Sequence, residues 1–169
     1  MHIIRLRGPW QVEPVARFVA QPDGTYVVTS DDLPVAARMT MPADWTAVCG
    51  GDFLGRVRYR RTFQKPTGLE TGERVFLVVE PARSLGVVEL NRPLAVSSGP
   101  SNGKRLGEVG RGAEPFRTEI TEMLENHNRL EIVVEHPVLD AANEADDDVV
   151  TRLPGGLVGE VRLEIEEMK

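Results

Sequence analysis

Cysteine is almost missing from this chain of 169 residues: Cys49 stands alone, so no disulfide can form within the chain. Its neighbours, Ala47-Val48-Cys49-Gly50-Gly51, offer no base to activate a thiolate, and the expected role is a small residue tucked in before a glycine turn. Histidine is nearly as scarce. His2, His127 and His136 sit in unrelated contexts, so a histidine metal site needs distant segments to converge. The expectation is that His127 holds a turn and that His136, just before Pro137, ends a strand. Positive charge is in deficit, 20 Lys and Arg against 26 Asp and Glu for a net charge of −6. That totals no basic surface for a phosphate backbone, and no nucleic-acid partner is expected. Apolar runs of bilayer-crossing length are absent, and Met1 to Pro9 shows neither a signal-peptide apolar stretch nor a cleavage pattern. The expectation is a cytoplasmic protein with no membrane partner. Catalytic signatures are missing as well: no G-x-S-x-G elbow, no phosphate loop ending in Lys-Ser or Lys-Thr, no H-E-x-x-H pair. Aromatic residues make up only 5%, so each ring matters to both the core and any stacking surface.

What the chain does have is turns and a two-residue rhythm. Sixteen Gly and twelve Pro favour many short elements over a long-helix bundle. Leu157, Val161, Leu163 and Ile165 fall on one face while Glu160, Arg162, Glu164 and Glu166 fall on the other, the mark of a half-buried antiparallel strand. Arg129 to Glu135 repeats it with Leu130, Ile132 and Val134 inward. Val75 to Val79 is a continuous β-rich run, which predicts a central strand covered on both faces. Trp10 to Val19 and Tyr26 to Ser30, separated by Gln21-Pro22-Asp23-Gly24, read as an opening hairpin. Val57, Tyr59 and Phe63 share a face with Arg61, so either a bulge shifts the register or the arginine head finds a buried partner. Ser84 to Leu90 and Leu94 to Ser97 flank a hairpin tip at Asn91-Arg92-Pro93, and Thr118 to Leu124 holds a helical turn or two. Asn126-His127-Asn128 then turns the chain into the next strand through types that tolerate left-handed backbone. Ser98 to Ala113 and Asp140 to Asp148 read as long loops. The whole is expected to be one all-β domain spanning residues 1–169, a sandwich or jelly roll.

Chemistry-bearing clusters are few. Glu144 and Asp146-Asp147-Asp148 offer hard oxygen ligands suited to a structural calcium, but without the spaced loop and central glycine of an EF-hand. A solvated acidic loop and no cofactor are expected. A glycosidase-type carboxylate pair is defined by separation in space, which a linear sequence does not supply.

Read in order, several short motifs resemble a known domain. Pro42-Ala43-Asp44-Trp45 precedes a glycine-containing loop and Val57-Arg58-Tyr59-Arg60-Arg61-Thr62-Phe63. Arg74 to Glu80 and Val87-Val88-Glu89-Leu90-Asn91 follow, then Glu114 to Thr121, Asn128 to Val134, and Gly155-Gly156-Leu157-Val158-Gly159-Glu160-Val161-Arg162-Leu163. This succession resembles the N-terminal sugar-binding domain of family 2 glycoside hydrolases, the β-galactosidases and β-glucuronidases. The resemblance implies a galactose-binding-domain-like jelly roll and no catalysis, because that family's catalytic glutamates lie on a (β/α)₈ barrel of about 250 residues. Where family members carry Gly after the hairpin Asn, this chain has Arg92-Pro93, and no Trp precedes Gly155-Gly156.

By position within the resemblance, Asp52 and Asp148 correspond to loop residues that complete a neighbouring active site in some members. Sugar recognition needs exposed aromatics and planar polar groups, which nominates Trp45, Phe53 and Tyr26 with Asp52 and Asn91; for Trp45 the competing role is a plug at one end of the sandwich. Trp45, Asp52, Asn91 and Asp148 are therefore the candidate ligand-binding residues. The expected function is a non-catalytic carbohydrate-binding module. The alternatives are an accessory subunit of a split glycosidase, with an apolar docking patch, and a protein-interaction or homo-oligomeric assembly module that has lost sugar binding.

Overall fold

The computed structural model describes residues 1–91, 104–110, 112, 114–139 and 153–168. Among these residues, alternating side chains produce eleven strands that pair into two antiparallel sheets. The smaller sheet has the order β1 (His2–Arg5), β11 (Val161–Glu167), β6 (Glu73–Val79), β9 (Phe116–Glu119). In the larger one, β3 (Tyr26–Thr29), β2 (Trp10–Ala20), β5 (Gly55–Gln64), β10 (His127–His136), β7 (Leu85–Leu90) and β8 (Lys104–Val109) lie side by side, with β4 (Ala37–Met39) also pairing with β2. The inward residues of both sheets form one core, with Trp10, Val57, Tyr59, Leu77, Leu130, Ile132 and Leu163 all buried. This is the two-layer solution available to sheets that are apolar on one face.

β6 is central and covered on both faces, as its continuous apolar run predicts, and among the described residues its second face is covered by side chains of the flanking strands. Val78 is 1% exposed and pairs with Arg162 and Arg117 on the flanking strands. The guanidinium of Arg117 stacks 3.7 Å from the centre of the Phe76 ring. Arginine side chains thus roof the apolar strand, the Arg117 head on the Phe76 ring and the Arg162 head paired with Glu80 and Glu164. The outer face of β11, expected to be solvated, follows the same rule: Glu164 is buried between Arg162 at 2.8 Å and Arg117 at 3.3 Å.

The opening hairpin forms as expected, with Val19 opposite Val27 and the Gln21 amide donating to the Thr25 carbonyl at 2.8 Å. Four expectations are corrected. The partner of β7 is β8, Lys104–Val109, with Leu90 opposite Lys104, inside a stretch read as loop. Its charged, glycine-containing sequence suits an edge strand that buries little. Residues 94–97, expected as that partner, lie outside the described residues. Within 118–124 the chain makes the end of β9 and then a single 3₁₀ turn, Thr121–Met123, because Phe116 to Glu119 pairs with β6 and the sheet ladder outcompetes weak helical propensity. A short helix, α1 (Thr46–Cys49), follows Trp45 where none was expected. The turn before β10 uses no left-handed residue at Asn126 or Asn128; among non-glycines, positive φ falls at Asp32, Ser84 and Asn91.

Candidate functional site

Trp45, Asp52, Asn91 and Asp148 do not form one cluster. β5 and β10 pair along their length, His136 opposite Gly55 and His127 opposite Gln64. Trp45 stacks edge-on against His136, and Asp52 lies on the exposed turn just before β5. Asn91 is bonded to Arg129 near the other end, and a strand of this length separates the two ends by about 30 Å. Asp148 and the rest of the acidic run lie outside the described residues.

Trp45 is 0% exposed and presents no ring face to a ligand. Its ring meets Phe53 edge-on at 5.5 Å, its amide donates to the Gly155 carbonyl at 3.0 Å, and the Ala43 amide donates to the Leu157 carbonyl at 3.2 Å. A Cβ on Gly155 would stand 2.5 Å from the indole ring, which is why glycine is needed there. The Asp-Trp and Gly-Gly motifs are thus two halves of one packed plug. Phe53 is buried with them, while Tyr26 lies half-buried on the edge strand β3. Asp44 starts α1 by accepting the Thr46 hydroxyl and amide hydrogens, bonds that hold its carboxyl below the usual range.

Asn91 has φ 57°, the left-handed region that asparagine tolerates. Its Nδ2 donates to the Met123 carbonyl at 3.2 Å and to Asn128 Oδ1 at 3.0 Å, and its Oδ1 accepts from the Arg129 amide at 2.9 Å. It braces the start of β10. Asn128 does the same for the preceding turn, accepting from the Glu125 amide and donating to its carbonyl; His127 is exposed at the rim.

Concave surface gathers at this Asn91 end. An open groove of about 780 Å³ runs between β1 and β11 on one side and β5 and β10 on the other. Ile4, Leu163 and the half-buried ring of Phe63 form its apolar part. Gln64, His127 and Asn91 supply its polar part. Beside it lies a second hollow of about 570 Å³ that shares Arg61, Thr62 and Arg129 with the first. Cross-strand register explains the second hollow: Gln11 on β2 stands opposite Arg38 on β4 and Arg60 on β5, and Thr62 stands opposite Arg129.

On β5, Arg56, Arg58 and Arg60 are neutralised by glutamates. Glu131, whose side chain is 3% exposed, holds Arg58 at 3.2 Å and Arg60 at 2.9 Å, Glu13 approaches both, and Glu135 holds Arg56 at 2.8 Å. Arg61 is different. The β5–β10 register runs unbroken through it, so no bulge turns it outward; its Nη1 donates to the neutral Pro9 carbonyl at 3.0 Å, and it makes no ion pair with a described residue. The Nε atoms of Arg61 and Arg129 are shut off from solvent and have no acceptor among the described residues. Phe63, Arg61 and Arg129 are the site residues that sequence reasoning missed. Arg61 carried a signal, a charge in a core-facing position; Phe63 was assigned to the core, and Arg129 looks in sequence like any outward strand residue.

Elsewhere chemistry is sparse. Burial pushes the Cys49 thiol up to about 12, against the pull of Arg17, so it is protonated at neutral pH. Among the described residues no group of three or more His, Cys, Asp or Glu is placed to hold a metal ion, and no helix is long and apolar enough to cross a membrane.

Neither protein-family models nor curated protein sequences match the chain. Solved structures do. The FMN-binding β-glucuronidase of Faecalibacterium prausnitzii L2-6 is 26% identical with a TM-score of 0.64, over 97% of this chain and 22% of that one. A β-glucuronidase from an uncultured Clostridium is 20% identical with a TM-score of 0.66, over 99% of this chain and 29% of its own. A family 2 glycosyl hydrolase member from Bacteroides cellulosilyticus, 13% identical, shares the fold with a TM-score of 0.60 over 99% of this chain and 21% of its own. The chain thus spans less than a third of the length of these proteins. In its ordered motifs and in its two-sheet architecture, it resembles a single domain of the family 2 glycoside hydrolases, their N-terminal galactose-binding-like β-sandwich.

Proposed function

We propose that the chain acts as a non-catalytic carbohydrate-binding module. The observation that carries this reading is the groove at the Asn91 end, whose lining includes the half-buried Phe63 together with Gln64 and Arg61. An apolar ring face beside planar polar groups is the chemistry that saccharides need, CH groups packing on the ring while hydroxyls take the donors. The fold shared with a domain of β-glucuronidases supports the ligand class.

Calorimetric titration with neutral mono- and oligosaccharides, paired with NMR shift mapping, tests the proposal. Shifts are expected at Phe63, Gln64 and His127, and the exposed rim variants Gln64→Ala and His127→Ala should weaken binding without unfolding the sandwich. Absence of heat and of shifts across the panel would overturn it.

A second reading, docking to a separate hydrolase chain, draws on a different surface. Val19 and Val27 face each other across the β2–β3 hairpin and both are exposed, at an edge strand whose outer side is unpaired. Exposed apolar pairs on an open edge suit a protein contact. Co-purification with a glycoside hydrolase that is lost on Val27→Lys would support it.

A further inference from the structure

We infer that the hollow beside the Phe63 groove is an oxyanion pocket, so that the saccharide taken by this domain is an acidic one. This inference rests on the carbohydrate reading above and names its substrate class. Arg38, Arg60, Arg61 and Arg129 all line the hollow, and no carboxylate is among the described residues lining it. Only Arg60 is paired, through Glu131 and Glu13. Arg38 and Arg129 make no ion pair with a described residue, and Arg61 makes only its bond to the Pro9 carbonyl.

In a chain with a net charge of −6, whose other sheet arginines, Arg17 excepted, are matched to glutamates, three guanidiniums without an ion pair to a described residue in one hollow are a local reversal of sign. The reversal has a chemical consequence: an oxyanion entering the hollow supplies the negative charge that the described lining residues do not. Guanidiniums bind carboxylate, sulfate and phosphate through paired N–H donors, and the Thr62 hydroxyl and Gln11 amide offer further neutral donors at the same wall. Because both hollows share Arg61, Thr62 and Arg129, a sugar ring on Phe63 directs a carboxylate or ester substituent into the arginines.

The test compares matched ligands on the intact chain: a neutral oligosaccharide, its uronic-acid counterpart, and sulfated and phosphorylated counterparts, with inorganic sulfate as the bare anion. At least one acidic ligand should bind ten-fold or more tighter than the neutral one. That preference should fall to within about two-fold in Arg129→Gln and Arg38→Gln, and it should shrink with added salt. Folding is checked by an unchanged circular dichroism spectrum, and affinity for the neutral ligand should be retained in Arg38→Gln, whose side chain lines the hollow and not the Phe63 groove. Which acidic ligand wins identifies the substituent. Equal affinity for neutral and acidic ligands, or a preference that survives both substitutions, would overturn the inference and leave the carbohydrate reading standing. Sulfate binding lost in Arg129→Gln, with no saccharide bound, would overturn the carbohydrate reading while keeping the pocket. No binding of any ligand would overturn both.

Discussion

Gly155 shows how a single missing carbon can hold two distant motifs together. The indole of Trp45 occupies the space a side chain at 155 would need, and the ring is shut in by Phe53 and His136. Gly155→Ala should therefore overpack the plug and cost about 1–3 kcal/mol, read as a lower urea midpoint with little change in slope. Cys49 makes a second residue-level prediction. With its thiol pushed up to about 12 by burial, alkylation of the native chain should keep accelerating as pH rises past about 10, where an ordinary thiol levels off. A plateau near about pH 10 under native conditions would contradict the buried placement. Legibility at this scale was uneven. Arg61 announced itself by breaking the apolar parity of its strand, whereas Phe63 fits that parity and only the gap between sheets reveals that its ring is half open.

At the scale of elements, β10 links both halves of the larger sheet, pairing with β5 on one side and β7 on the other. Its Glu131 ties Arg58 and Arg60 of β5 to it. Removing a nearly buried carboxylate strands two guanidiniums, so Glu131→Ala should cost about 1–3 kcal/mol in chemical denaturation. Glu13→Ala, at a site with a 38% exposed side chain, should cost under about 1 kcal/mol. Equal losses at the two sites would show that burial does not set the strength of these pairs. The strands with regular alternation, β2, β5, β10 and β11, were legible from sequence because each has one apolar face. β8 was not, since an edge strand with one neighbour needs no apolar stripe and its pairing is settled by β7.

For the molecule as a whole, carboxylates couple folding to acid. Burial works to raise Glu164, but hydrogen bonds and charge from Arg162 and Arg117 outweigh it and leave the group lowered from 4.5. Asp44 is lowered from 3.8 by the Thr46 hydroxyl and amide. A carboxylate lowered on folding binds its proton more readily in the unfolded chain, so its stabilisation is complete above the unfolded value and is lost as pH falls through the folded one. The thermal midpoint should hold down to about pH 5 and fall steadily below about pH 4. Glu164→Gln should flatten that fall, and an unchanged acid slope in this variant would remove Glu164 from the account.

The all-β class, the strand-dense core and the resemblance to a glycoside hydrolase domain were determined by sequence alone, because alternation and motif order are properties of neighbours along the chain. Which rings stay open and which arginines stay unmatched were decided only by the tertiary structure. Both depend on cross-strand register and on how two sheets close. That closure carries Trp45 into the core and brings Arg38, Arg61 and Arg129, from three separate strands, to one wall.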